Sequence, residues 1–186
     1  MPLDDIPAGA FTITRDIRFS DSDPAGIVFY AEFFRMFNDL FEDWLVKRLG
    51  IDFAHQFQVE QLMFPLVHVE TDFKEARRMG QQMDLTLILA RLGRSSICYD
   101  IIGHDDELEI LRGSFVTCVA SKKTMSTIEI PPDIRAPMED YLAVCECGRA
   151  GEKAAHIRSI SKADNSSPET PQRQPRELVS VHSSGL

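Results

Sequence analysis

No stretch of this 186-residue chain approaches the roughly 20 consecutive apolar residues that a membrane-spanning helix requires. Positive charge is in deficit as well. Lys and Arg number 20 against 29 Asp and Glu, a net charge of −9. That excludes a general nucleic-acid binder, which must displace counterions with a basic surface. Cysteine is scarce: Cys98, Cys118, Cys145 and Cys147 are the only four. A chain of this size holds together without disulfides. Cys145 and Cys147 form a lone C-x-C with no second pair and no histidine at finger spacing, so no metal site is expected. Cys98 and Cys118 fall in apolar strand-like runs, where free thiols are ordinarily buried. The opening Met1-Pro2-Leu3-Asp4-Asp5 is acidic and lacks the basic and apolar regions of a secretory signal. The expectation is a soluble, cytoplasmic protein with neither a membrane nor a nucleic-acid partner.

Aromatic residues are missing from one end. None of the 16 Phe, Tyr and Trp side chains lies beyond Tyr141. From Ser159 onward the chain is rich in Ser, Pro, Gln and charge, a composition that cannot bury enough apolar area to offset the entropy of ordering it. Residues 148–186 hold six basic and four acidic groups, which leaves −11 on residues 1–147. These shifts place a folded domain at 9–141 and a disordered tail at 142–186.

Within the domain, Phe11, Ile13, Ile17 and Phe19 alternate with polar residues, the period of a half-buried strand, with Arg15 the one exception on the apolar face. The period then changes. Phe33, Phe37, Leu40, Phe41, Trp44, Leu45 and Leu49 recur at steps of three and four, the stripe of an amphipathic helix, and Gly50 is its natural stop. One or two helical turns fit in Asp52 to Gln61. Strands follow at Phe64–Lys74, Met83–Leu92, Ser95–Gly103 and Leu108–Lys122, with Gly93-Arg94 and His104-Asp105-Asp106-Glu107 as turns. A strand, a long greasy helix and four more strands predict an α+β fold in which a sheet curls around the helix.

Residues 19–30, between the first strand and that helix, carry the chemistry. Asp21 and Asp23 lie two apart, Pro24 forces Asp23 into an extended conformation, and Gly26 permits a tight turn. The helix behind them starts with unpaired N–H groups and the positive end of its dipole, which suit a developing anion. A carboxylate beside such donors can attack, or activate water against, a polarised carbonyl. From spacing alone, D-x-D-P-x-G in a loop is more often just a turn.

Phe19-Ser20-Asp21-Ser22-Asp23-Pro24-Ala25-Gly26-Ile27-Val28-Phe29-Tyr30, followed by an aromatic-rich helix, resembles the signature D-x-D-P-A-G-I-V-aromatic-aromatic of the 4-hydroxybenzoyl-CoA thioesterase family of the hotdog fold. The Phe64-Pro65-Leu66-Val67 strand start, the Ala76-Arg77-Arg78-Met79-Gly80 turn and the Gly93-Arg94-Ser95-Ser96 hairpin resemble the family too. The resemblance implies an antiparallel sheet wrapped around a central helix, and an acyl-CoA thioesterase. Asp23 would be its catalytic carboxylate, as nucleophile or general base. Backbone N–H groups nearest Phe29 and Tyr30 would hold the oxyanion, and Asp21 would orient the loop or face solvent. Phe29, Tyr30 and Phe33 would line a site for a flat aromatic acyl group, with core packing the other reading of Phe33. Arg91 and Arg94 would meet the CoA phosphates, with Lys122 and Lys123 as further candidates. The resemblance implies at least a dimer, commonly a tetramer, with sites at subunit contacts, and no metal or redox cofactor. Hydratases on this fold carry a histidine where Ala25-Gly26-Ile27 stands here, and His68 is not expected to join the site. The alternatives are a thioesterase for short or medium aliphatic acyl chains, a non-catalytic acyl-CoA-binding protein, and an interaction module.

Overall fold

The period-two alternation at the start of the domain forms β1 (Phe11–Asp16), in a computed structural model that describes residues 6–105 and 108–147. Phe11 and Ile13 pack on the core. Arg15, the charged exception on that face, reaches Asp39 at 3.2 Å and is satisfied by an ion pair. The strand stops short of the expected Phe19. Phe19–Asp21 instead make a turn of 3₁₀ helix, and Phe19 is 82% exposed. The Asp21 carboxylate accepts the Arg18 N–H at 2.8 Å, which offers the backbone an alternative to sheet pairing.

The apolar stripe becomes α1 (Tyr30–Asp43), continued by one turn of π helix, Trp44–Arg48. Phe33, Met36, Phe37, Leu40, Phe41, Trp44 and Leu45 are all buried along it. Gly50 adopts φ +69°, the left-handed conformation that ends a helix. Asp52 caps α2 (Phe53–Gln58) by accepting the His55 N–H at 2.9 Å.

The remaining strands are β2 (Leu62–Met63), β3 (Leu66–Phe73), β4 (Gln82–Leu92), β5 (Ser96–His104), β6 (Glu109–Cys118), β7 (Ala120–Ser121) and β8 (Ser126–Thr127). With β1, four of them form an antiparallel sheet in the order β1-β4-β5-β6-β3, and β2-β7-β8 form a smaller one. The helix lies against one face of the larger sheet, with Phe37 edge-on to Phe115 at 5.2 Å and Phe41 stacked on Tyr99 at 5.1 Å. This is the expected α+β architecture, a hotdog fold.

The last helix, α3 (Pro132–Cys147), was not among the expected elements. The expected boundary at 141 falls inside it. Ile134, Met138, Tyr141 and Cys145 are buried at steps of four, three and four. The Tyr141 hydroxyl accepts the Phe11 N–H at 2.7 Å and donates to the Leu87 carbonyl at 2.6 Å, so α3 seals the place where β1 leaves β4. Ordered structure therefore runs through Cys147, and residues 148–186, the rest of the expected tail, lie outside the described residues. Cys98 and Cys145 are buried, Cys118 is half-buried and Cys147 is exposed. Among the described residues no helix is long and apolar enough to cross a membrane, and no group of three or more His, Cys, Asp or Glu is arranged to hold a metal ion.

Candidate active site

The D-x-D-P-A-G-I-V segment folds into a miniature hairpin. The Asp23 N–H donates to the Ile27 carbonyl at 2.8 Å, Ser22 bridges Val28, and the Phe29 N–H donates to the Asp21 carbonyl at 2.9 Å. At its tip the Gly26 N–H closes on the Asp23 carbonyl at 2.9 Å, with Gly26 at φ +74°. Pro24 presets the first turn position, and glycine tolerates the left-handed angle that completes the bend.

Two buried groups hold this hairpin. Asp21 is 2% exposed and orients the loop rather than facing solvent. Its carboxylate takes the Arg18 N–H and, at 2.8 Å, Nη2 of Arg35 on the second turn of α1. On the other side the Val28 N–H donates to the Arg77 carbonyl at 2.8 Å, and Ile27 bridges Arg78. The Arg77 side chain is itself buried and pairs with Asp105 at 2.5 Å, at the end of β5. Arg77 lies in the Ala76–Gly80 turn that resembles the family, but the sequence assigns neither arginine a role at the site. The signal for Arg35 is its place on the face of α1 that looks back toward the motif.

Asp23 is half-buried at the mouth of the hairpin. Its Oδ1 accepts the N–H groups of Ala25 at 2.8 Å and Ile27 at 3.4 Å, while Oδ2 has no hydrogen bond among the described residues. One oxygen is thus anchored and the other is open. The helix start differs from expectation in one respect. The Phe29 N–H is consumed by the Asp21 carbonyl, so it has no capacity for an oxyanion. The amides of Tyr30 and Ala31 have no partner among the described residues, as the first helical turn leaves them.

Phe29 and Tyr30 stand together at this opening, their rings 4.6 Å apart, 40% and 63% exposed. Phe33, one turn further, is 5% exposed and packs on Phe73 at 5.1 Å and Phe37 at 6.3 Å, so it belongs to the core and at most forms the floor of a site. The expected phosphate contacts lie elsewhere. Arg91 and Arg94 stand at the far end of β4 from Gln82, which pairs with Asp16 beside the hairpin. At a rise of about 3.3 Å per residue that separation is about 30 Å along the strand. Arg91 lies back on Cys98, its Nη2 3.4 Å from the sulfur, and its Nε is buried. Arg94 is exposed, while Arg135 pins its hairpin by donating to the carbonyls of Gly93 and Arg94. Lys122 lies over the Phe57 ring at 3.4 Å and donates to the Phe57 carbonyl; Lys123 is exposed. His68 is exposed on β3, on the face opposite the core-packing Val69. Burial pushes the Tyr99 phenol up to about 12 and raises that of Tyr141 further, so both stay neutral and serve packing rather than proton transfer.

No protein-family model matches the chain. A 1,4-dihydroxy-2-naphthoyl-CoA hydrolase of Crocosphaera subtropica is 25% identical over 143 residues, 76% of this chain and 97% of the relative. A hydrolase of the same name from Thermosynechococcus vestitus is 30% identical over 130 residues, 69% of this chain and 82% of the relative. The crystal structure of a 1,4-dihydroxy-2-naphthoyl-CoA thioesterase from Synechocystis matches with a TM-score of 0.65 at 20% identity, covering 71% of this chain and 97% of that one. At that identity the structural likeness speaks for the fold.

Proposed function

Because the chain belongs to the hotdog-fold acyl-CoA thioesterases that include these naphthoyl-CoA hydrolases, we propose that it hydrolyses an aromatic acyl-CoA thioester to the free acid and CoA. The observation that carries this reading is the juxtaposition at the hairpin: a carboxylate with one oxygen anchored and one open, beside the unpaired amides that begin α1. The relatives' aromatic acyl group and the exposed rings of Phe29 and Tyr30 at the same opening support the aromatic class. The benzoyl-type group expected from the motif and the naphthoyl group of the relatives share what such an opening recognises, a flat ring joined to a thioester carbonyl.

In the mechanism, the thioester carbonyl oxygen lies against the amides of Tyr30 and Ala31 and gathers negative charge there as the carbon becomes tetrahedral. Asp23 Oδ2 either removes a proton from the attacking water or adds to the carbonyl carbon itself. In the first case the tetrahedral intermediate breaks its C–S bond, and the proton held by Asp23 passes to the departing thiolate. In the second, CoA thiolate leaves a mixed anhydride on Asp23, which water then hydrolyses.

A second copy of the chain completes this reading. Arg94 is about 30 Å along β4 from its own hairpin, farther than a pantetheine arm extends, so a phosphate contact from Arg94 belongs to the site of a neighbouring subunit. β3 provides the means. It is an eight-residue edge strand with Leu66, Val67 and Phe73 exposed, and an unpaired edge of that kind is a template for pairing with another chain.

The test follows thiol release from benzoyl-, 4-hydroxybenzoyl-, 1,4-dihydroxy-2-naphthoyl-, acetyl- and hexanoyl-CoA, with Asp23→Asn beside the unmodified chain. Loss of at least ~10²-fold in turnover on an aromatic ester is expected. Preference for hexanoyl-CoA would replace the aromatic reading with an aliphatic one. An Asp23→Asn variant with full turnover would remove Asp23 from the chemistry. ¹⁸O found in Asp23 after a single turnover in labelled water would identify it as the nucleophile, through attack of water on the aspartyl carbonyl of the anhydride.

A further inference from the structure

The hydroxyl of Thr71 is buried and has no hydrogen-bond partner among the described residues. Such a group is costly to leave unmet in a folded protein, and nothing in the packing of the sheet requires it. Thr71 lies in β3 between Val69 and Phe73 on the same face, the one turned toward α1. Directly across the ladder is Gly113. A Cβ there would stand 2.7 Å from Thr71 Oγ1, 2.8 Å from a ring carbon of Phe115 and 3.1 Å from the Glu70 carbonyl oxygen. Glycine is therefore what lets a hydroxyl and a ring edge share that spot.

Packed aromatic rings line this face between the start of α1 and Thr71. Phe33 follows Tyr30 by one helical turn and meets Phe73 at 5.1 Å. Thr71 is the next residue along that face, about 7 Å further. Phe37 and Phe115, 5.2 Å apart, close the far side. Phe73 is half-exposed, so this row of rings ends at the surface. The Phe33–Phe73 contact is the path by which an aryl group held at the Tyr30 amide would approach the Thr71 hydroxyl. Phenyl rings and a glycine give an ionised substituent no counter-charge.

We propose that Thr71 is a specificity residue of the acyl site, its hydroxyl exchanging a hydrogen bond with a hydroxyl on the aromatic ring of the substrate. This rests on the aromatic thioesterase reading above. It goes beyond it by naming the ring substituent and the residue that reads it. A polar contact of this kind rejects the analogue that lacks the group, because it leaves a buried hydroxyl unpaired.

The experiment compares two ester pairs, benzoyl- with 4-hydroxybenzoyl-CoA and 2-naphthoyl- with 1,4-dihydroxy-2-naphthoyl-CoA, in the full-length chain and in Thr71→Val and Thr71→Ser. Valine keeps the shape and removes the hydroxyl; serine keeps the hydroxyl. The expected result is a loss of ~10-fold or more in kcat/KM for the hydroxylated member of at least one pair in Thr71→Val. The unsubstituted member stays within ~3-fold, and the preference is retained in Thr71→Ser. Equal losses on both members, with a changed Tm or oligomeric state, would make the hydroxyl a structural or intersubunit contact and overturn the proposal. So would no change on either. If the unmodified chain cleaves no aromatic ester, the underlying reading fails and this one falls with it, an outcome distinct from a chain that prefers hydroxyaryl esters yet ignores Thr71→Val.

Discussion

Replacing Asp21 with asparagine removes one charge and changes no shape, at a carboxylate that is 3% exposed and holds both the Arg18 N–H and the Arg35 guanidinium at 2.8 Å. The amide keeps one oxygen for one of these donors and turns its own N–H₂ toward the other. Breaking a fully buried ion pair from one side costs about 3–5 kcal/mol. Arg35, however, is 52% exposed and returns to water when released, which brings the expected loss to about 2 kcal/mol. Glu32 acts on Arg35 through its hydrogen bond and then its charge, raising the guanidinium pKa, so the arginine remains charged throughout. In a domain of this size the loss lowers Tm by about 6–8 °C in a thermal scan. It also releases the anchor of the hairpin, and turnover falls by roughly 10-fold or more, since small displacements of a reacting group are expensive. The double variant Asp21→Asn with Arg35→Gln should lose less than the sum of the single variants, because neither partner is then left behind. A Tm within about 1 °C of the unmodified chain would refute the view that this pair fixes the loop.

Acid should expose a second buried carboxylate. Burial acts to raise the pKa of Glu109, but hydrogen bonds and charge from Arg112 and Lys74 outweigh it and bring it down to about 2, against 4.5 for the free group. A depressed pKa stabilises the fold above the unfolded value, and that contribution is lost as pH falls from about 4.5 toward 2. Urea unfolding of Glu109→Gln against the unmodified chain should show a deficit of up to about 3 kcal/mol at pH 7 that closes below pH 2, and a pH-independent difference would contradict it. Arg94→Ala should raise KM for a CoA ester about 5-fold with kcat unchanged and leave the N-acetylcysteamine ester unaffected. Equal effects on both esters would take Arg94 away from the CoA phosphates.

The parts of the fold that were legible in the sequence are those where one periodicity faces one core. The α1 stripe from Phe33 to Leu45 and the alternation of Met83 to Leu89 needed no knowledge of partners. Where a side chain competes with the backbone, the pattern misleads: Phe19 continues the alternation of β1, yet Asp21 takes the Arg18 N–H and turns the chain out of the sheet. The last helix was hidden for another reason. Its buried residues, Ile134, Met138, Tyr141 and Cys145, keep helical spacing, but Pro137 interrupts the run and the aromatic residues end at Tyr141, so composition drew a boundary through its middle. At the site, the motif revealed Asp23 and the start of α1. It did not reveal that Asp21 spends its carbonyl on Phe29, because a backbone hydrogen bond leaves no trace in side-chain identity. Thr71 was illegible for the same kind of reason, since its interest lies in the partner it lacks.

The hydroxyl of Tyr141 joins the amide of Phe11 to the carbonyl of Leu87, across 130 and 54 residues of chain. During synthesis the first strand leaves the ribosome long before the residue that fastens its end. From the completion of β4 until residue 141 is made, the β1 edge has its sheet partner but no clasp, and the hairpin that follows it hangs from an unfastened strand. Closure waits for the chain to grow past residue 141, so the earliest part of the domain is completed by one of the last. A nascent chain cut short before that point carries the whole motif, yet its first strand is held by the β4 ladder without the clasp at its end.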